Sequence, residues 1–180
     1  MRKVLTFVLL ALAMLGTTQA TTIVPLSVED LTRGASTIVR ARATRAWSEW
    51  NPERTVIYTY TRFNVSQNLK GLPSAAVVVK QAGGTKDGLK QRLFGVRHFQ
   101  VGEEAVLFLR PSKAHDGTLV VVGLMQGNFR VLRSATGQVV VTNGVPDVSA
   151  VTSTGQVSNF TGATLTLQQL ESRVRKAVTK

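Results

Sequence analysis

The chain has 180 residues and a formal net charge of +12, with 22 Lys and Arg against 10 Asp and Glu. It contains no cysteine, which excludes disulfide stapling, a thiol nucleophile and thiolate metal sites. A chain of this size holds together through one hydrophobic core, and its basic balance favours solubility and anionic partners without fixing a fold.

The first twenty residues stand apart from the rest. Arg2 and Lys3 form a basic start, residues 4–15 are nearly all apolar, and Thr18-Gln19-Ala20 supplies small residues for cleavage. This pattern predicts a secretory signal peptide, cut near Ala20. The apolar run is shorter than the roughly 20 residues a bilayer span requires, which argues against a membrane anchor. Thr21, not cysteine, follows the cut, so no lipid is attached there. A secreted or periplasmic chain is predicted, carrying +10 once Arg2 and Lys3 are gone. Its organisation is read as a signal peptide over 1–20, a β-barrel domain over 21–142, a loop or extended arm over 143–163 and a C-terminal helix over 164–180.

Ser27 with Asp30 three residues on reads as a capping box opening a short helix that Gly34 ends. Residues 37–43 read as a first strand, with Val39, Ala41 and Ala43 on one face and Ile38, Arg40 and Arg42 on the other. Asn51-Pro52-Glu53 signals a turn. Residues 55–71 then form the longest β-type run. Ile57, Thr59, Thr61, Phe63 and Val65 fall on one face, and Val56, Tyr58 and Tyr60 on the other. The two strands should make an antiparallel hairpin, with Trp47 and Trp50 near its tip. Those tryptophans either pack against the barrel end or present an aromatic contact to a partner.

Residues 75–81 read as a third strand. The Gly-rich stretch around Gly83-Gly84 and Lys86-Asp87-Gly88 lacks the GK[ST] of a phosphate-binding loop and reads as a flexible loop. A short strand is expected over 96–101. Residues 105–109, AVLFL, are apolar on both faces, as in a buried central strand. Further strands are expected over 118–122, 129–132 and 139–142, the last two as a hairpin. The final helix opens at Thr166, with Gln169 three residues on, and carries an apolar stripe of Leu167, Leu170, Val174 and Val178. Its basic face reads either as a surface for anionic membrane or as the solvated side of a docked helix. Short strands separated by Gly, Pro and polar turns predict a mainly β protein, a small OB-like β-barrel with a helix at each end.

Two motifs carry a family resemblance. The extended run YTYTRFNVSQNLKG follows a short helix and TIVRARATRA, and FQVGEEAVLFL later places a Val-Gly turn before an apolar strand. Over residues 26–132 this order resembles the netrin-like domain of tissue inhibitors of metalloproteinases, an OB-type barrel. It is also similar to secreted bacterial proteins with the same spacing. In those inhibitors an N-terminal cysteine chelates the protease zinc. This chain has none, so the resemblance implies a fold and no inhibitory residue.

The residues offer little catalytic chemistry. His98 and His115 are isolated in sequence, whereas a zinc site needs three or four convergent ligands. His115 reads as a turn residue. His98 would need distant partners to form a triad, and no nucleophile-elbow motif occurs. Glu103 and Glu104 are adjacent, so in an extended chain they point apart and do not form an acid–base pair; Glu103 reads as a solvated turn residue. No cofactor is expected. The leading expectation is a secreted, non-enzymatic binding module, with Trp47, Trp50, Arg40, Arg42 and Arg45 as the candidate partner-binding residues. The partner is either another secreted or cell-envelope protein or an anionic polymer, polysaccharide or nucleic acid. The polymer reading rests on Arg40, Arg42, Arg45, Arg54 and Arg62 on the first two strands, interleaved with Tyr58 and Tyr60. A hydrolase built on an isolated histidine is the rival class.

Overall fold

The computed structural model describes residues 22–93, 95–133, 137–144, 149–151 and 156–179. The predicted signal peptide lies outside the described residues. The described chain is mainly β, with two helices.

Strand β1 (Thr22–Ile23) is followed by helix α1 (Val28–Gly34). The capping box is formed: the Asp30 amide donates to Ser27 Oγ at 3.1 Å, and the Ser27 amide donates to the Asp30 carboxylate at 3.2 Å. This satisfies two amides that a helix start leaves unpaired. Strands β2 (Thr37–Trp50) and β3 (Ile57–Lys70) then form a long antiparallel hairpin. On β3 the two-residue period holds as expected, with Ile57, Thr59, Thr61 and Phe63 buried and Val65 half-buried.

Strand β2 is twice as long as its alternation indicates. It runs on because an extra residue enters the ladder: Ala43 pairs with Phe63 and Arg45 with Arg62, leaving Thr44 without an opposite number. Such a bulge reverses the parity of everything after it. Before it, odd-numbered Val39, Ala41 and Ala43 are buried. After it, even-numbered Ser48 and Trp50 lie opposite Thr59 and Ile57. Trp47 therefore lies on the outer face with Tyr60, and Trp50 on the inner face.

Strand β4 (Ala76–Ala82) adds to β3, and a tight hairpin of β5 (Gly84–Lys86) and β6 (Leu89–Gln91) follows. The expected flexible loop is thus an ordered hairpin. Asp87 and Gly88 both have positive φ, 51° and 77°, the geometry of a type I′ turn. Gly84 sits so close to β2 and β3 that a Cβ would strike the hydroxyls of Thr59 and Ser48. The stretch expected as a strand over 96–101 is irregular. Side chains hold it instead of a ladder. Phe99 is buried and meets Phe63 edge-on at 4.8 Å, and Glu103 takes an ion pair from Arg97 and a 3.2 Å hydrogen bond from the Gln100 amide. Glu103 is therefore a clamp on this segment rather than a solvated turn residue.

Strands β7 (Glu104–Pro111), β8 (Leu119–Val121), β9 (Asn128–Arg133) and β10 (Val139–Thr142) continue the main sheet. Within 143–163, β11 (Ser149–Val151) and β12 (Val157–Asn159) pair with each other, and β11 also takes β1 in parallel. Strand β13 (Thr164–Thr166) joins β10 and leads into helix α2 (Leu167–Val178), capped by Thr166 and Gln169. The main sheet has the order β13-β10-β9-β7-β2-β3-β4-β8, and β7 also pairs with β8.

Strand β7 is buried on both faces, as its composition indicates. Ala105, Leu107 and Leu109 join Val39, Ala41, Phe63, Val79 and Phe99 in one cluster. Val106 and Phe108 face a second cluster with Leu31, Phe129, Leu170 and Val174. Helix α2 thus docks by Leu170 and Val174, while Val178 stays exposed. An ion pair joins the two helices, with Arg173 Nη2 2.6 Å from Glu29 Oε2. That pair holds the Glu29 carboxyl down at about 2.

A candidate ligand-binding face on β2, β3 and β4

The outer face of these three strands is laid out in rows, because residues directly opposite in a sheet share a face. One row is Trp47, Tyr60 and Lys80. Trp47 and Tyr60 are stacked, with ring centroids 5.5 Å apart and planes inclined by 15°. The Lys80 ammonium lies 4.4 Å from the Tyr58 ring centre and 5.6 Å from that of Tyr60. It also bonds Asp116 at 2.9 Å. Burial is the largest single influence on Lys80 and pulls its pKa down, but the bond to Asp116 and the further interactions with Tyr60 and Asp116 together raise it overall. The Thr118 hydroxyl and then Lys80 hold the Asp116 carboxyl well below the usual carboxylate range. Lys80 is therefore a fixed, compensated cation that orients two tyrosines.

The neighbouring row pairs Arg45 with Arg62, and both are exposed. The Arg45 guanidinium sits 5.2 Å from the Trp47 ring centre. Neither arginine makes an ion pair among the described residues. Two like charges directly opposite on a sheet destabilise it. The arrangement leaves two uncompensated cations beside a stacked aromatic pair.

The five residues singled out from the sequence separate into three groups. Arg45 and Trp47 belong to this face. Arg40 and Arg42 do point out together, but both are spent on one carboxylate. Arg40 Nε is 2.6 Å from Glu104 Oε1, and Arg42 Nη2 is 2.9 Å from Glu104 Oε2. Arg42 also donates to the Gly102 carbonyl at 2.8 Å. Trp50 is turned away, with its indole N–H donating to Asp87 at 2.9 Å, where Arg54 also binds. Tyr60 and Arg62, noted only as part of the basic strand pattern, are the partners that complete the site. Lys80 was not singled out. Its signal was its spacing from Val77 and Val79, which places it on the outer side of β4.

The histidines do not converge with other ligands. His98 Nε2 is 3.0 Å from the Ala82 carbonyl, and His115 occupies a turn with φ 52°. Among the described residues there is no group of three or more His, Cys, Asp or Glu able to hold a metal ion. Also among the described residues, no helix is long and apolar enough to cross a membrane. Compared with known proteins, the chain matches no family model and no curated protein.

Proposed function

We propose that the protein is a secreted, non-enzymatic binding module on an OB-like barrel, and that its ligand is an acidic polysaccharide held on the β2–β3–β4 face. The barrel reading is supported by the pairings: β2 with β3, β3 with β4, β4 with β8 in parallel, β8 with β7, and β7 with β2. OB-type barrels bind oligosaccharides and oligonucleotides on the face of their second and third strands, which here are β3 and β4. The netrin-like resemblance is part of this fold proposal and carries no inhibitory function, since the zinc-binding cysteine is absent.

The observation that carries the ligand is the pair of exposed, uncompensated arginines, Arg45 and Arg62, directly beside the Trp47–Tyr60 stack. Guanidinium groups recognise carboxylates and sulfates through paired donors, and aromatic faces accept sugar rings. A secreted chain meets such polymers outside the cytoplasm.

The test uses Trp50→Phe, so that Trp47 is the single tryptophan. Titration with polygalacturonate at low salt should change its fluorescence, and the affinity should fall as salt rises. Arg45→Ala with Arg62→Ala should abolish most of the binding. Arg40→Ala with Arg42→Ala should leave most of it, because both guanidinium groups are engaged by Glu104, which already offsets one of their two charges. Trp47→Ala, read by titration calorimetry because no tryptophan reporter then remains, should cost about 1 kcal/mol or more, the low end of what one aromatic stacking contact contributes. Equal losses for the two arginine pairs would reduce the effect to general charge attraction. Absence of binding at low salt would remove the polysaccharide reading.

A further inference from the structure

A cleft of about 410 Å³ opens beside the junction of β4 and β8, where the two strands meet at a single residue pair, Val79 and Leu119. It lies next to the ligand face and shares Tyr58 and Lys80 with it, but its chemistry differs. Leu93, Val96 and Leu124 line it together with Arg110 and Lys113, and among the described residues no acidic side chain lies in the lining. Its volume falls within the range of small-molecule sites, roughly 300–1,000 Å³.

Two observations mark it as more than a surface irregularity. The first is Leu124. Its φ is +60°, a conformation that a bulky side chain rarely adopts, and its side chain is 48% exposed. A leucine that is both conformationally strained and half in water gains little from burial there. Glycine would hold the same backbone without the strain. Leu93, also lining the cleft, is equally exposed. The second is charge. Lys80 is neutralised by Asp116, but Arg110 and Lys113 are exposed and have no ion-pair partner among the described residues. Apolar walls with two uncompensated cations, Arg110 and Lys113, complement an apolar body with one negative head.

We infer that this cleft binds a monoanionic amphiphile, an aliphatic chain ending in a carboxylate. The tail packs on Leu93, Val96 and Leu124, and the head pairs with Arg110 and Lys113. This ligand is separate from the polysaccharide of the strand face and does not depend on it.

The experiment is displacement of bound anilinonaphthalene sulfonate by decanoate or by decyltrimethylammonium, both below their micelle concentrations. The two competitors share a tail and differ in the sign of the head. Decanoate should displace the dye at a concentration about tenfold lower, the size expected for a charged hydrogen bond. Arg110→Ala with Lys113→Ala should erase that difference. Leu124→Gly should weaken decanoate severalfold while leaving the melting temperature unchanged or raised, because glycine suits the local φ. Equal displacement by the two competitors would overturn the proposal. So would a failure of the dye to bind, or a Leu124→Gly variant that melts lower or binds decanoate as before.

Discussion

Thr59 and Thr61 sit two residues apart on the inner face of β3 and should respond oppositely to the same substitution. Thr61 is fully buried, opposite Ala46 and Val79, and its hydroxyl has no hydrogen-bond partner among the described residues. Thr59 is also buried, but its hydroxyl donates to the Gly83 carbonyl at 2.8 Å and lies 3.0 Å from Ser48 Oγ. Valine keeps the β-branched shape that a strand favours and removes only the polar atom. A buried hydroxyl without a partner costs about 1–3 kcal/mol. Thr61→Val should therefore stabilise the fold by about 1 kcal/mol or more, raising the melting temperature by about 2–4 °C for a chain of this size. Thr59→Val removes a satisfied bond and strands a carbonyl, so it should cost about 1–2 kcal/mol. Urea titrations followed by circular dichroism would read both. If Thr61→Val destabilised the fold, or if both variants shifted the midpoint in the same direction, the hydrogen-bond accounting of this face would be wrong.

Other perturbations follow from the same packing. Phe63→Ala removes a fully buried ring in edge-on contact with Phe99 and should cost about 3–5 kcal/mol in a denaturant titration. Gly84→Ala should cost about 1–3 kcal/mol by the same measurement, since the new Cβ would collide with Thr59 and Ser48 at a φ of 144°. The Glu29–Arg173 pair predicts an acid effect. The Glu29 carboxyl is lowered from 4.5 to about 2, so its contribution is present above pH 4.5 and is lost as the pH falls from there toward 2. The pair is about two-fifths exposed, which limits the contribution to on the order of 1 kcal/mol. Comparing denaturant midpoints at neutral and acid pH, Arg173→Met should lose less stability on acidification than the parent.

Much of this was legible locally. The alternation from Ile57 to Phe63, the two capping boxes and the doubly apolar AVLFL segment each depend on neighbours within a few residues, and each formed as read. The bulge at Thr44 leaves only a faint mark in the sequence. No glycine or proline signals it; the adjacent polar residues Thr44 and Arg45 do break the alternation of TIVRARATRAW, but a polar pair also fits the exposed end of an ordinary strand, so it does not by itself separate Trp47 from Trp50. The shared face of Arg40 and Arg42 is legible in the sequence, but Glu104, which engages both guanidinium groups, lies 64 residues from Arg40 and enters only through the β2–β7 pairing. The β5–β6 hairpin did carry a signal, the Asp87-Gly88 pair of a type I′ turn. It was obscured because the flanking strands are three residues long and polar.

The docking of α2 bears on the order in which the molecule assembles. Leu31 on the first helix and Phe108 on the central strand belong to a cluster that Leu170 and Val174 complete. Glu29 and Arg173, 144 positions apart, tie the same two helices together. One apolar layer, the one around Phe63 and Leu107, draws among the described residues on those between Val39 and Val121 and can close early. The other stays open to water until the final dozen residues arrive. Contacts of such long sequence separation form late, because the loop must be closed before the contact repays it. A chain truncated before α2 would therefore collapse around one layer and leave the other bare, a half-finished species prone to self-association. The C-terminal helix acts as the latch that ends this exposure.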